Sequence, residues 1–334
     1  MVDTMIPNTF GINATADRYV VVSQPQQLRD ALASVRTSGS PFLVVGAGSN
    51  MVFTNHFHGT ILHLDNKGVC LVPPSDADTL YVEAAAGEVW DDFVRHCVRQ
   101  GWHGAENLVA IPGTVGAAPV QNVGAYGIEA KDIIHSVRAF EVASGRERVF
   151  SNEECRFGYR NSIFKGELAG QYVVWSVIFR LHKAFHPDLQ YKAVVDELAA
   201  LGISNPTPQQ LIDVIADIRW RKLPRPEITG SAGSFFKNPI VPASQYQQLK
   251  AIYPDMVAYP APAGGYKLAA GWLIEHAGWK GRDLGRCGVY EHQALVLVNR
   301  GGCIGSEVVA LADAITADVK AKYGVTLEKE AIII

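Results

Sequence analysis

Three stretches of this sequence carry reactive side chains in settings suited to chemistry. In Phe157-Gly158-Tyr159-Arg160-Asn161-Ser162-Ile163-Phe164-Lys165 an arginine stands between a tyrosine and an asparagine. A planar guanidinium there is suited to a carboxylate or a phosphate, although an arginine so placed also serves as an ordinary surface ion-pair partner. In Gly233-Ser234-Phe235-Phe236-Lys237-Asn238-Pro239 a serine precedes two phenylalanines. No GxSxG elbow accompanies it, and none of the ten histidines stands in a recognisable triad motif. Ser234 is therefore expected to donate a proton or a hydrogen bond rather than attack as a nucleophile, with Lys237 as an electrostatic helper. The third is Glu330, at the end of an apolar strand. A buried carboxyl there suits a general acid, whereas an exposed one is inert.

A longer signal has little charge. Ile111-Pro112-Gly113-Thr114-Val115-Gly116-Ala117-Ala118-Pro119-Val120-Gln121-Asn122-Val123-Gly124-Ala125-Tyr126-Gly127 holds four glycines, two prolines and three alanines. That composition builds no ordinary helix or strand. Its backbone N–H groups can form anion-holding nests, and Gln121 and Asn122 add donors and acceptors for a heteroaromatic ring or a phosphate. The alternative is a long surface loop, but its apolar character favours burial against a cofactor.

The elements that must position these segments follow from periodicity. A strand at 19–22, a helix starting at Pro25 with Leu28, Leu32 and Val35 inward and ending at Gly39, and a strand at 42–45 read as a βαβ unit. It runs into Gly46-Ala47-Gly48-Ser49-Asn50. The third glycine of a dinucleotide fingerprint is missing, and residues 51–55 read as strand, so the Rossmann reading fails. What remains is a Gly-Ser-Asn turn whose N–H groups suit a pyrophosphate or merely a structural turn. Further on come a strand at 80–85, a helix at 88–99 with Val89, Phe93 and Cys97 inward and Gly101 as its cap, and a hairpin at 137–142 and 146–150. A strand at 173–181 and a helix at 207–219 lead to Lys222-Leu223-Pro224-Arg225-Pro226, a domain boundary. Beyond it the pattern predicts helix at 267–276, strand at 294–298, helix at 306–323 and a last strand at 325–327.

At 334 residues, with 48% hydrophobic and 19% charged residues, the chain has room for two or three domains with sizeable cores. A net charge of −3 gives no reason to expect nucleic acid or a membrane surface. The five cysteines are scattered and odd in number, with no CxxC pair. That argues against a disulfide framework and a zinc site and fits a reducing cytoplasm. His56 and His58 lie two apart without a third ligand nearby in sequence, so no metal is expected. Met1-Val2-Asp3-Thr4 does not open a signal peptide, and no apolar run approaches the ~20 residues that span a bilayer.

Taken together these segments resemble the UDP-N-acetylenolpyruvoylglucosamine reductase (MurB) family, type I branch. The likeness rests on Asn8-Thr9-Phe10-Gly11, Gly46-Ala47-Gly48-Ser49-Asn50, Glu106-Asn107-Leu108, residues 111–116 and 121–127, Cys155-Arg156-Phe157-Gly158-Tyr159-Arg160, residues 233–239 and Lys267-Leu268-Ala269-Ala270-Gly271-Trp272-Leu273-Ile274. It implies an α+β chain of three domains: 1–69 with 324–334, and 70–222, holding FAD in the vanillyl-alcohol-oxidase (PCMH-type) manner, and 223–323 as an α+β substrate domain. It implies NADPH-dependent reduction, through FAD, of the enolpyruvyl group of a UDP-sugar to give UDP-N-acetylmuramate for peptidoglycan. Gly46, Gly48, Ser49, Asn50, Ile111, Pro112, Gly113, Gly116, Gln121, Asn122, Gly124, Tyr126 and Arg219 would hold FAD. Arg160 would stabilise the substrate carboxylate, Ser234 would give the proton and Glu330 would pair with Arg160. Tyr191, Lys222, Asn238 and Gln293 match sugar-nucleotide positions. The expected protein is a cytoplasmic monomer acting on a small molecule, with no nucleic acid or membrane partner. The family's usual Leu-Glu-Pro-Glu-Val-Arg ending reads Leu327-Glu328-Lys329-Glu330-Ala331-Ile332 here, which leaves Glu328 as the competing acid. The other readings are a flavoenzyme of the same fold acting on a different alcohol or sugar, and a non-catalytic binder of flavin or sugar nucleotide.

Overall fold

The structure is a computed structural model that describes residues 5–73, 76–261 and 264–334. Residues 1–4, on which the leader reading rests, lie outside it. The chain is α+β, as expected, and divides into two compact units. The first comprises residues 16–48 and 58–219 with a few N-terminal residues; the second comprises residues 8–15, 49–57 and 220–334.

In the first unit, Pro25 opens the helix Pro25–Ser38, which buries Leu28, Ala31, Leu32 and Val35. Gly39 ends it at φ 65°, a left-handed cap that favours glycine. The predicted βαβ unit is present, with a third strand inserted between its two. The strands Ala16–Val22 and Phe42–Val45 are not neighbours, because Phe57–Leu64 lies between them and pairs in parallel with the latter, Val44 opposite Leu62. Alternation within the earlier strands reveals their faces but not which strand slips between them. An antiparallel five-stranded sheet follows, in the order Glu147–Ser151, Ile134–Glu141, Tyr172–His182, Thr79–Ala85, Val69–Val72. The helices Trp90–Gln100 and Pro208–Lys222 contribute to its core with Trp90, Phe93, Val94, Cys97, Leu211, Val214, Ile215 and Ile218. Val89, expected inside, is the exposed residue preceding the first of these helices, and Trp90 takes the inward place. Its indole N–H has a carbonyl to bond, so the larger ring buries without an orphaned donor.

In the second unit an antiparallel sheet runs Ser231–Ser234, Val296–Asn299, Cys287–Val289, Asp283–Leu284. Helix Gly305–Tyr323 buries Val308, Leu311, Ile315 and Val319 and ends at Gly324. Two expectations fail here. The helix predicted from 267 starts at Ala270, because Tyr266–Leu268 is a strand between Ile240–Val241 and Ala258–Pro260. The terminal strand is Ile332–Ile333 rather than 325–327, and it pairs in parallel with Met51–Val52. Cys287 and Cys303, expected as thiols, form a disulfide with Cα atoms 5.8 Å apart, whereas Cys70, Cys97 and Cys155 are free. Scatter in sequence hid a pair that the sheet and the following loop bring together. Among the described residues, no helix is long and apolar enough to cross a membrane.

Candidate active site

The glycine-rich loop holds more order than its composition suggests. Val115–Ala117 is a 3-10 turn, Ala118–Gln121 a single helical turn, and Gly124–Ala125 pairs with Ile128–Glu129. Tyr126 and Gly127, at φ 49° and 92°, make the two-residue turn between those strands, a turn type that requires positive φ at both positions. Upstream, the loop lies along residues 86–90. The Trp90 N–H donates to Gly113 O at 3.0 Å, the Val115 N–H to Glu88 O at 2.9 Å and the Gly116 N–H to Ala86 O at 2.9 Å. The other predicted turn meets it: a Cβ on Gly46 would overlap the Thr114 hydroxyl and lie 3.0 Å from its methyl. Only glycine allows that approach. Gly48, in this turn, has φ 61°. Ser49 and Asn50 belong to the second unit, where the Asn50 side chain donates to Glu330 O at 3.2 Å.

Ala110, just before the loop, holds a left-handed φ of 59°. Its N–H donates to Asp91 Oδ1 at 2.6 Å and its carbonyl accepts from Arg219 Nε at 3.1 Å, so two charged side chains hold an unfavourable backbone state. The Arg219 guanidinium also lies over the Tyr126 ring, 5.9 Å from its centre. Desolvation draws it down from the usual arginine range, Tyr126 and Asp91 oppose that shift, and the charge of Arg160 adds to it. Burial likewise pushes the Tyr126 hydroxyl up, against the pull of Arg219. Among the described residues no carboxylate forms an ion pair with Arg219. A desolvated guanidinium beside a glycine loop is an anion-seeking centre. The diphosphate and carbonyl-bearing ring of a flavin dinucleotide fit that donor set.

Asn122, expected to face a cofactor, spends its side chain on protein partners. It is fully buried at φ 46°, donates to Glu129 Oε2 and to Gly158 O at 3.0 Å each, and accepts from the Lys131 N–H at 3.0 Å. The Gly158 carbonyl belongs to the turn that presents Arg160: Gly158 and Asn161 bond each other reciprocally, with Tyr159 and Arg160 at the tip. Ser162 Oγ ties the same turn to Val120 O at 2.7 Å. Arg160 is left-handed at φ 53° and donates Nη2 to Gly124 O at 2.9 Å. Gly124 is also closely approached: a Cβ there would lie 2.9 Å from Glu129 Cγ, 3.0 Å from the Ile128 carbonyl and 3.3 Å from Arg160 Nη1. Tyr191 is 44% exposed and meets the Tyr126 ring edge-on at 5.1 Å. The first unit thus gathers the loop, Arg160, Arg219 and Tyr191.

The second unit gathers the remaining candidates. Ser234 lies opposite Val296 at a sheet edge, and the next residue bonds on both sides: the Phe235 N–H donates to Leu295 O at 2.7 Å, and Phe235 O accepts from the Glu330 N–H at 2.8 Å. Ser234 and Glu330 therefore flank one buried phenylalanine. Lys237 does not turn toward Ser234. Its ammonium pairs with the Glu328 carboxylate, and its N–H donates to Glu328 O at 2.9 Å. The Glu328 side chain is 70% exposed. Asn238 Oδ1 accepts from the Ala270 N–H at 2.9 Å, satisfying an orphan donor at a helix start. Gln293 Oε1 accepts from the Leu295 N–H at 3.3 Å, and Lys222 is exposed at its helix end.

Sequence reasoning gave no role to a buried polar group beneath the loop. His103 Nδ1 is 2.9 Å from Glu106 Oε1, and Glu106 Oε2 accepts from the Gly104 N–H at 2.7 Å. The adjacent Asn107 donates to Tyr126 O at 3.0 Å and to Asp188 O at 3.1 Å. A run of polar residues just ahead of an apolar loop was the available signal.

The family model for the FAD binding domain matches residues 16–151, and that for the C-terminal domain of UDP-N-acetylenolpyruvoylglucosamine reductase matches residues 225–334. The enzyme of that name from Azoarcus sp. (strain BH72) is 49% identical over 330 residues, 98% of this chain and 95% of the relative. The one from Burkholderia vietnamiensis is 49% identical over 97% of this chain and 93% of its own length. A crystal structure of UDP-N-acetylenolpyruvylglucosamine reductase (MurB) from Thermus caldophilus shares the fold, with a TM-score of 0.64 at 22% identity, covering 98% of this chain and 95% of that one. Identity of this degree over nearly the whole length establishes that the chain belongs to the UDP-N-acetylenolpyruvoylglucosamine reductase family, whose members are flavin-dependent oxidoreductases.

Proposed function

We propose that this protein reduces the enolpyruvyl group of UDP-N-acetylglucosamine enolpyruvate to UDP-N-acetylmuramate, with NADPH as hydride donor. The observation that carries the reading is the near full-length likeness to relatives of that name. FAD, when bound, supplies the hydride relay between NADPH and the terminal carbon of the double bond. The residues 46–50 and 111–127 would hold it, with Arg219 as the positive partner of its anionic parts. The desolvated Arg219 supports that assignment.

The remaining chemistry falls to side chains. Charge that develops next to the carboxylate spreads into it as an enolate. Arg160 stabilises that charge, and one well-placed donor of this kind contributes roughly 2.7–4 kcal/mol. Ser234 gives its proton to the adjacent carbon, a role worth about 10²–10⁴-fold in rate. Glu330 rather than Glu328 is the acidic partner in this reading, because Glu328 is exposed and engaged by Lys237, whereas Glu330 is held against Phe235 and Asn50. Tyr191, Lys222, Asn238 and Gln293 contact the sugar nucleotide. By role the chain divides into residues 1–69 with 324–334, and 70–222, for FAD, and 223–323 for substrate. We place the enzyme in the cytoplasm as a monomer.

The deciding experiment is a flavin spectrum. The flavin-loaded protein should bleach with NADPH and regain its colour when the enolpyruvyl substrate is added. A protein that takes up no flavin, or whose colour returns no faster with substrate than without it, ends this proposal.

A further inference from the structure

We infer that Asn107 is a positioning residue that sets Tyr191 against the flavin loop and so governs affinity for the sugar nucleotide. This rests on the reading above, in which Tyr191 touches substrate. Asn107 is 3% exposed, in a 3-10 turn that other contacts make rigid. Glu106 anchors one side of the turn through His103 and the Gly104 N–H, and the Trp90 indole donates to Leu108 O at 2.8 Å on the other. From this platform the carboxamide spends both N–H groups on main-chain carbonyls far apart in sequence, Tyr126 O at 3.0 Å and Asp188 O at 3.1 Å.

Each recipient controls a tyrosine. Tyr126 is itself held at φ 49°, so the bond to its carbonyl helps fix a backbone state that its side chain disfavours. Asp188 opens the turn to Tyr191: its Oδ1 accepts from the Gln190 N–H at 3.0 Å, a local bond that sets the path of the next residues. The two rings then meet edge-on, 5.1 Å apart at 80°. An asparagine is needed for this arrangement, because only a carboxamide or a cation offers two donors from one atom, and a cation would bury a charge there. The Tyr191 segment is otherwise a surface loop leading into the helix Lys192–Ala200, with the ring half in solvent. Without Asn107 it would adopt its binding position only part of the time, and apparent affinity would fall by that fraction.

The test compares Asn107→Leu, Tyr191→Ala and the double variant, each loaded with FAD. Asn107→Leu should raise KM for UDP-N-acetylglucosamine enolpyruvate about tenfold, the equivalent of two modest hydrogen bonds, with kcat changed by less than about threefold. In the Tyr191→Ala background the same substitution should add nothing, because its effect passes through that ring. Hydrogen exchange at residues 188–191 should quicken in Asn107→Leu without ligand present. Asn107→Asp, which keeps the shape but removes both donors, gives the same readings should the leucine variant fail to fold. Multiplicative KM effects in the double variant, or unchanged exchange at 188–191, would overturn the inference. Failure of the wild-type flavin to respond to NADPH and substrate would instead end the functional reading, and the exchange result would stand apart from it.

Discussion

Replacing Arg160 by glycine should separate two properties that this residue sets against each other. Its left-handed φ of 53° costs a residue with a Cβ about 1–2 kcal/mol. Glycine avoids that cost but gives the unfolded chain more freedom, which offsets about 0.4–1 kcal/mol. Arg160→Gly should therefore be more stable than Arg160→Ala by roughly 0.8 kcal/mol, within a span of about 0–1.6. Both lose the bond to Gly124 O, so that contribution cancels in the comparison. Both also lose the guanidinium proposed to stabilise the substrate's developing charge, and turnover should fall about 10²–10³-fold in each. Urea denaturation gives the first difference, and rapid mixing of reduced enzyme with the enolpyruvyl substrate gives the second. An alanine variant clearly more stable than the glycine variant would refute the argument from backbone strain. Reoxidation within about threefold of the parent rate would refute the assignment of charge stabilisation to Arg160.

The remaining predictions concern other parts of the two units. Gly46→Ala should weaken flavin retention, seen as loss of yellow colour on dialysis, because the added methyl pushes against Thr114 and so shifts the loop. Glu330→Gln should slow turnover at least about tenfold while Glu328→Gln stays within about twofold, since the latter carboxylate is exposed and bound to Lys237; equal losses would return Glu328 to contention. Thiol titration should find one fast group in the native protein, Cys70, and three after denaturation without reductant. Cys97 and Cys155 should stay silent while folded, as burial pushes both thiols up, Cys155 to about 12. Cys303→Ser should lower stability by up to about 3 kcal/mol, the value for closing a loop of about 15 residues, and five thiols on denaturing the unreduced parent would show that no bond forms.

What the sequence made legible depended on the range of the interactions involved. Helices with their own start and stop signals, such as Pro25–Ser38 and Gly305–Tyr323, were readable because their caps and apolar faces are local. Strand order was not: nothing near Phe57–Leu64 says that it separates two earlier strands. Terminal pairing was equally hidden, since Ile332–Ile333 finds its partner at Met51–Val52. The site showed the same division. Glycine content marked the loop, but whether Asn122 faces a ligand or the protein depends on Gly158, Glu129 and Lys131, which fold back onto it. Lys237 looked like a helper for Ser234 by adjacency, yet it lies beyond the end of the strand Ser231–Ser234, and its charge found Glu328. The disulfide went unread because cysteine spacing carries no information about a sheet that has not yet been drawn.

The pairing of Met51 with Ile332 also sets a timetable for synthesis. A ribosome adds about 5–20 residues per second, so the short strand at 51–52 emerges roughly 15–55 s before its partner exists. During that interval the nascent chain carries an unpaired strand edge, a template for association with other chains. The first unit has all its residues by 219 and can collapse early, whereas the second cannot close before the chain is nearly finished. Expression at lower temperature, or with chaperones that bind exposed strand edges, should raise the soluble yield of this protein more than that of one whose sheets close in chain order.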